Sequence, residues 1–160
     1  LDHVHEWIIV YDGNRISENP NIFASENNPL IKEYIYKGEG KWGNLQRNFA
    51  IDHIKNKDTF LYFLDDDNVI DPSLYNLLKF VDNHKMYTFN QKAGLKGSNV
   101  VTNHIDIAMC MIHYELCKEI RWLANNYNAD GIFISTVYEN NKNHHVFVDN
   151  ELCYHNGLVL

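Results

Sequence analysis

Thr59-Phe60-Leu61-Tyr62-Phe63-Leu64-Asp65-Asp66-Asp67-Asn68 is the stretch that decides the fold. Six residues that are all apolar or β-prone, with no alternation, read as a strand buried on both faces, as a central strand of a covered sheet is. Three carboxylates follow at once. Like charges this close raise one another's pKa, and a divalent cation among them reverses that penalty. Asp65 and Asp67 stand two residues apart, so in extended geometry their side chains share a direction. Carboxylate oxygens suit Mg²⁺ or Mn²⁺, whose shells are completed by water and phosphate.

Outward from this stretch, strands and helices alternate. Trp7 to Tyr11 is a short apolar run stopping at Asp12-Gly13, the pattern of a buried strand entering a polar loop. Asn14 to Asn28 is polar and irregular, and a second strand is expected at Lys32 to Tyr36. From Asn44 a helix follows, with Leu45, Phe49 and Ile54 on one face and no glycine or proline before Asp58. Downstream, Asp71-Pro72 suits the start of a helix, and Leu74, Leu77, Leu78 and Val81 form an amphipathic stripe. Strands are expected at Met86 to Asn90, Asn99 to Ile105, Ile107 to His113 and His145 to Val148. Helices are expected over Tyr114 to Asn125 and from Asp130. The alternation predicts an α/β domain with a mixed, mainly parallel sheet flanked by helices. In such sheets ligands bind beyond the carboxyl ends of the strands, which puts Asp12 and Asp65 on one rim.

The bulk properties fit one ordinary domain spanning 1–160: the chain has 160 residues, 45% hydrophobic and 13% aromatic. A formal charge of −7 argues against a nucleic-acid partner, which calls for a basic face. It leaves nucleotide sugars open, since a cation neutralises a diphosphate locally. The three cysteines, Cys110, Cys117 and Cys153, form no C-x-x-C pair and read as free thiols. No apolar run is long enough to be a membrane segment. The chain opens at Leu1 and reads as strand by Trp7, so it is expected to be a fragment of a longer protein. A cytoplasmic setting is the default expectation for a soluble fragment. The acid run does not make an EF-hand, because Val69 and Ile70 stand where that loop needs an oxygen ligand and a glycine. No P-loop is present either.

Gly43-Asn44-Leu45-Gln46-Arg47-Asn48-Phe49-Ala50 followed by Tyr62-Phe63-Leu64-Asp65-Asp66-Asp67-Asn68 resembles the GT-A-fold glycosyltransferases. Both the broad family 2 type and the β-1,3-glucuronosyltransferases share this order: an Arg-Asn segment, then a strand ending in a D-x-D motif. The strand Glu6 to Asp12 looks like their earlier nucleotide-binding strand. The strand with which these families begin has no counterpart here.

The resemblance implies a Rossmann-like GT-A domain, a UDP-sugar donor, a glycan or other hydroxyl acceptor, and Mn²⁺ or Mg²⁺. It implies that Asp12 binds the uracil ring, that Arg47, Asp65 and Asp66 contact the nucleotide sugar, and that Asp67 ligates the metal. Asp130, ahead of an expected helix, corresponds to the general base of inverting members. Ala129 departs from their usual Glu-Asp pair, which leaves Glu115, Glu119 and Glu139 as substitutes. Of nine histidines, the late His155 matches a metal or diphosphate ligand, whereas His144-His145 are expected in an exposed turn. An ordinary role stands beside each assignment: a strand-end turn for Asp12, a surface ion pair for Arg47, a helix cap for Asp130. Two other functions use the same residues, a nucleotidyl- or phosphotransferase and a sugar-nucleotide- or glycan-binding module without catalysis.

Overall fold

The computed structural model describes residues 4–15, 28–65, 67–92 and 94–155. The chain divides into two compact units, one formed by residues up to Lys55 together with Trp122–Tyr127, the other by Asn56–Arg121 and Asn128 onward.

In the first unit, strands β1 (Trp7–Asp12) and β2 (Ile31–Tyr36) pair in parallel, with Trp7 opposite Ile31 and Asp12 opposite Tyr36. Helix α1 (Asn44–His53) packs on β1. Its apolar face meets a cluster of half-buried rings: Phe49 stacks on His53 at 3.9 Å, and Tyr34 and Tyr36 approach Phe49 at 5.5 and 5.3 Å. His53 Nδ1 lies 2.8 Å from the Phe49 carbonyl. A carbonyl only accepts, so this nitrogen carries the proton. The segment 122–127 is tied to α1 by amide side chains. Asn48 exchanges two hydrogen bonds with the backbone of Trp122, and Asn44 donates to the carbonyls of Leu123 and Asn126.

The second unit is a five-stranded sheet in the order β3-β6-β5-β7-β4. Its strands are β3 (Phe60–Tyr62), β4 (Asn68–Ile70), β5 (Met86–Gln91), β6 (Cys110–His113) and β7 (His145–His155). Helices α2 (Leu74–Leu77), α3 (Tyr114–Cys117) and α4 (Ala129–Asn140) accompany it. Its core is deep: Phe89, Phe133, Ile134, Met86, Met109 and Ile112 are at most 1% exposed.

The sheet is mixed and not mainly parallel. Only β5–β7 is a parallel pair in it, while β3–β6, β5–β6 and β4–β7 are antiparallel. A parallel pair needs a crossover, and only the path to β7 through α4 supplies a long helix. Nor is β3 central: among the described residues it pairs with β6 alone, at one end of the order. The expected strand at Asn99 to Ile105 is a series of turns, and the expected helix from Asp71 narrows to Leu74–Leu77. Strand β7 runs on to His155, seven residues past Val148. No helix among the described residues is long and apolar enough to cross a membrane.

The long connection from β5 to β6 is held against the sheet at two glycines. Gly97 N–H donates to Asn90 Oδ1 and its carbonyl accepts from the Thr88 hydroxyl. A Cβ at Gly97 would lie 2.3 Å from the Phe89 carbonyl oxygen. At Gly131, in the first turns of α4, a Cβ would come within 3.0 Å of the Thr102 Cα. Both would meet backbone atoms: at Gly97 only glycine fits, and at Gly131 a side chain would press Thr102 and Asn103 away by a few tenths of an ångström. The connection is thereby held at Gly97 and at Thr102, ahead of Asp106.

Candidate functional site

Asp67 lies in a turn and not in an extended segment, and Asn68 N–H closes onto the Asp65 carbonyl at 3.1 Å. Asp66, expected among the nucleotide-sugar contacts, lies outside the described residues, as do residues 16–27 of the expected irregular stretch. Straight after the turn comes β4, which the sequence does not announce. Its pairing with β7 sets Asn68 opposite His155, and His155 Nδ1 stands 3.4 Å from Asn68 Oδ1. Register alone therefore carries the late histidine to the acid run. Asn68 is 8% exposed and its Nδ2 has no hydrogen-bond partner. Turning the amide over would only exchange which of its two polar atoms is unsatisfied.

Asp106 joins this group, and sequence reasoning missed it. It precedes the 3₁₀ turn Ile107–Met109, where its carboxylate accepts from Ala108 N–H at 2.9 Å. The Tyr62 hydroxyl, at the end of β3, donates to the Ala108 carbonyl at 2.8 Å and so binds that turn to the strand leading into the acid run. Burial pushes the Asp106 carboxyl above the usual range. The Ala108 N–H and His155 oppose that shift, and the negative charges of Asp65 and Asp67 add to it. The signal was available: an acid directly before the apolar run Ile107 to Ile112 is drawn partly out of water, and a carboxylate there requires a partner or a task.

Asp130 lies in the first turn of α4, whose N-cap is Asn128, so it is not the helix cap. At that position the helix dipole favours its negative charge. The Cys110 thiol, pushed well up by burial, feels the charge of Asp106 and of Asp130 as well. Asp65, Asp67 and His155 thus share the electrostatic neighbourhood of Asp106, and Asp130 shares that of the adjoining Cys110. The possible substitutes for Asp130 do not share it. Glu115 pairs with Lys118 at 2.6 Å and Glu139 with Lys142 at 2.8 Å, while Glu119 is exposed. His144 is exposed as expected. His145 is not: it is half-buried, and its Nε2 meets Thr88 Oγ1 at 2.8 Å. Since that hydroxyl donates to Gly97, it must accept here, and Nε2 bears the proton.

Two residues of the expected site stand in the first unit. Asp12 closes the β1 end, accepting from Asn14 N–H at 3.0 Å and pairing with Arg15 at 3.2 Å. Arg47 donates to the Trp42 carbonyl at 2.9 Å and to Asn44 Oδ1 at 3.2 Å, with its guanidinium 5.9 Å from the Trp122 ring centre.

Among the described residues, no three His, Cys, Asp or Glu side chains converge on a point that could hold a metal ion. The donors around the turn are nevertheless of the right kind for a hard cation. Mg²⁺-type ions commonly take one or two protein carboxylates and draw the rest of the shell from phosphate and water.

No protein-family model matches the sequence, and neither does any curated protein. Among solved structures, the chain is similar to TarS 1–349 from S. aureus, a glycosyltransferase. The TM-score is 0.67 with 18% identity over 94% of this chain. This is a glycosyltransferase-like fold. At that identity the likeness is one of fold, and the chain spans 51% of the TarS chain.

Proposed function

We propose that this chain is the donor-handling part of a glycosyltransferase that moves a sugar from a UDP-sugar to a hydroxyl acceptor with inversion. The observation that carries the reading is the β4–β7 register that sets His155 opposite Asn68 at the end of the acid run, with the half-buried Asp106 within electrostatic reach of Asp65, Asp67 and His155, in a fold like that of a glycosyltransferase. Carboxylates that press on one another's charge beside a buried amide are costly without a cation and a phosphate to receive them.

Asp67, with His155 or Asp106, would hold Mn²⁺ or Mg²⁺, and Asp65 would face the nucleotide. When bound, the ion supplies Lewis-acid stabilisation of the charge that grows on departing UDP. Asp130 serves as general base: its carboxylate takes the proton of the acceptor hydroxyl as that oxygen attacks the anomeric carbon.

A panel of UDP-sugars with Mn²⁺, read as UDP release, tests the proposal. Wild type should turn over at least one donor, and EDTA or Asp67→Ala should reduce release to background. Asp130→Asn should slow turnover by about a hundredfold or more while donor affinity stays within a few-fold. Release of pyrophosphate from a nucleoside triphosphate, with no donor turned over, would replace the reading with nucleotidyl transfer.

A further inference from the structure

Trp42 and Tyr127 present an exposed pair of rings in the first unit that neither the core nor the acid cluster uses. Trp42 is 50% exposed and Tyr127 78%, and the two meet edge to face with centroids 5.7 Å apart. Leu123 beside them is 51% exposed.

The local structure holds these rings out. Trp42 has φ 57° and Gly43 φ 73°, two successive left-handed residues. That conformation is ordinary for glycine and rare for a bulky aromatic; such outliers persist where the surrounding structure over-determines them, and they cluster at functional sites. Arg47 fastens the Trp42 carbonyl, and Lys41 N–H donates to the Ala124 carbonyl at 3.1 Å, joining the Trp42 loop to the Tyr127 loop. From beneath, the fully buried Asn44 fixes the carbonyls of Leu123 and Asn126. Both rings are thus pre-organised, and packing does not require it: glycine at 42 would relieve the backbone.

The chemistry around the rings is mixed. The Lys41 ammonium stands 5.8 Å from the Trp42 ring centre, and Asn125 is exposed two residues before Tyr127. An exposed aromatic surface with an ammonium at its edge matches a pyranose ring, which offers an apolar C–H face and a rim of hydroxyls. A greasy peptide would want a wider apolar patch without such a rim.

We propose that Trp42 and Tyr127 form a stacking platform for a pyranose ring of a glycan, the acceptor if the chain transfers sugar. Only the word acceptor rests on the function proposed above; the platform itself does not.

The test is binding of chitohexaose, cellohexaose and maltohexaose, followed by tryptophan fluorescence and calorimetry, with UMP and anionic phospholipid vesicles as parallel probes. At least one oligosaccharide should bind and shift the tryptophan emission. Trp42→Gly and Tyr127→Ala should each weaken binding roughly tenfold or more. Trp42→Gly should leave the melting temperature unchanged or raised, since glycine suits the left-handed backbone, so a loss of binding there cannot be blamed on unfolding. The platform is overturned if no oligosaccharide binds, if both variants bind like wild type, or if only UMP or vesicles respond. UDP release by wild type without oligosaccharide reports separately on the transfer reading. Saccharide binding without UDP release would sink that reading and leave the platform standing.

Discussion

Three described side chains in the first unit are buried, Asn44, Ile51 and Trp122. The second unit buries most of β5 and β6 and one face of α4, with Phe89, Phe133, Met86 and Ile112 at its centre. The first is therefore shaped by amide side chains that grip backbone, over a half-buried aromatic cluster. The second is shaped by apolar burial, which supplies most of the driving force for folding in ordinary domains. A unit held by hydrogen bonds can fix loop geometry accurately, yet it opens locally at modest cost. The unit with the deep core can absorb the expense of gathering carboxylates around Asp106.

Five substitutions break or sharpen that contrast. The largest effect is expected for Phe89→Ala or Phe133→Ala, which should lower stability by about 3 to 5 kcal/mol through lost burial and a cavity, read by urea denaturation. Next, Gly97→Ala forces the β5–β6 connection off the Phe89 backbone and should destabilise by about 2 to 3 kcal/mol. Because Asp106 lies on that connection, UDP release should fall more steeply than stability. In the first unit, Asn44→Ala strands two carbonyls and should cost about 1 to 2 kcal/mol. Its signature is faster amide exchange confined to residues 122–127. If exchange speeds up across both units together, they do not open independently and the contrast fails.

The smallest effect concerns pH. Burial lowers the His145 pKa from its ordinary 6.5. The unfolded chain then binds a proton that the folded one refuses, so stability is intact above pH 6.5 and declines as pH falls from there toward the folded value. A shallower decline in melting temperature between pH 7 and 5 is expected for His145→Gln, whose amide can still donate to Thr88. Equal slopes for the two proteins would assign the decline to other groups.

Much of this architecture was legible in the sequence. The strands at Trp7, Ile31 and Met86, the helix at Asn44 and the helix opening near Asp130 followed from periodicity and breakers. The failures share a cause in long-range contacts. The helix expected to Asn125 stops at Cys117, and beyond it Asn48 and Asn44 bond the very backbone groups of 122, 123 and 126 that a continuing helix would need. The strand expected at Asn99 to Ile105 gives way to turns, because Thr102 and Asn103 are drawn against Gly131. Similarly, the amphipathic stripe after Asp71 promised a full helix. The Asp71 carboxylate is instead held by Ser73 and by the Tyr154 hydroxyl of β7. At the candidate site, the acid run was visible from its cost alone, but its company was not. His155 arrives through a three-residue strand that has no pattern of its own, and Asp106 through a connection that two glycines hold down.

The three thiols carry a practical consequence. Cys110, Cys117 and Cys153 are all free, all buried and all in the second unit. Burial pushes Cys117 and Cys153 up to about 12 and Cys110 well above its ordinary value, so the reactive thiolate is nearly absent while the unit is closed. An alkylating reagent can then act only on molecules that have opened. Its rate becomes a native clock for excursions of the acid-bearing unit, blind to any loosening of the loops around Trp42.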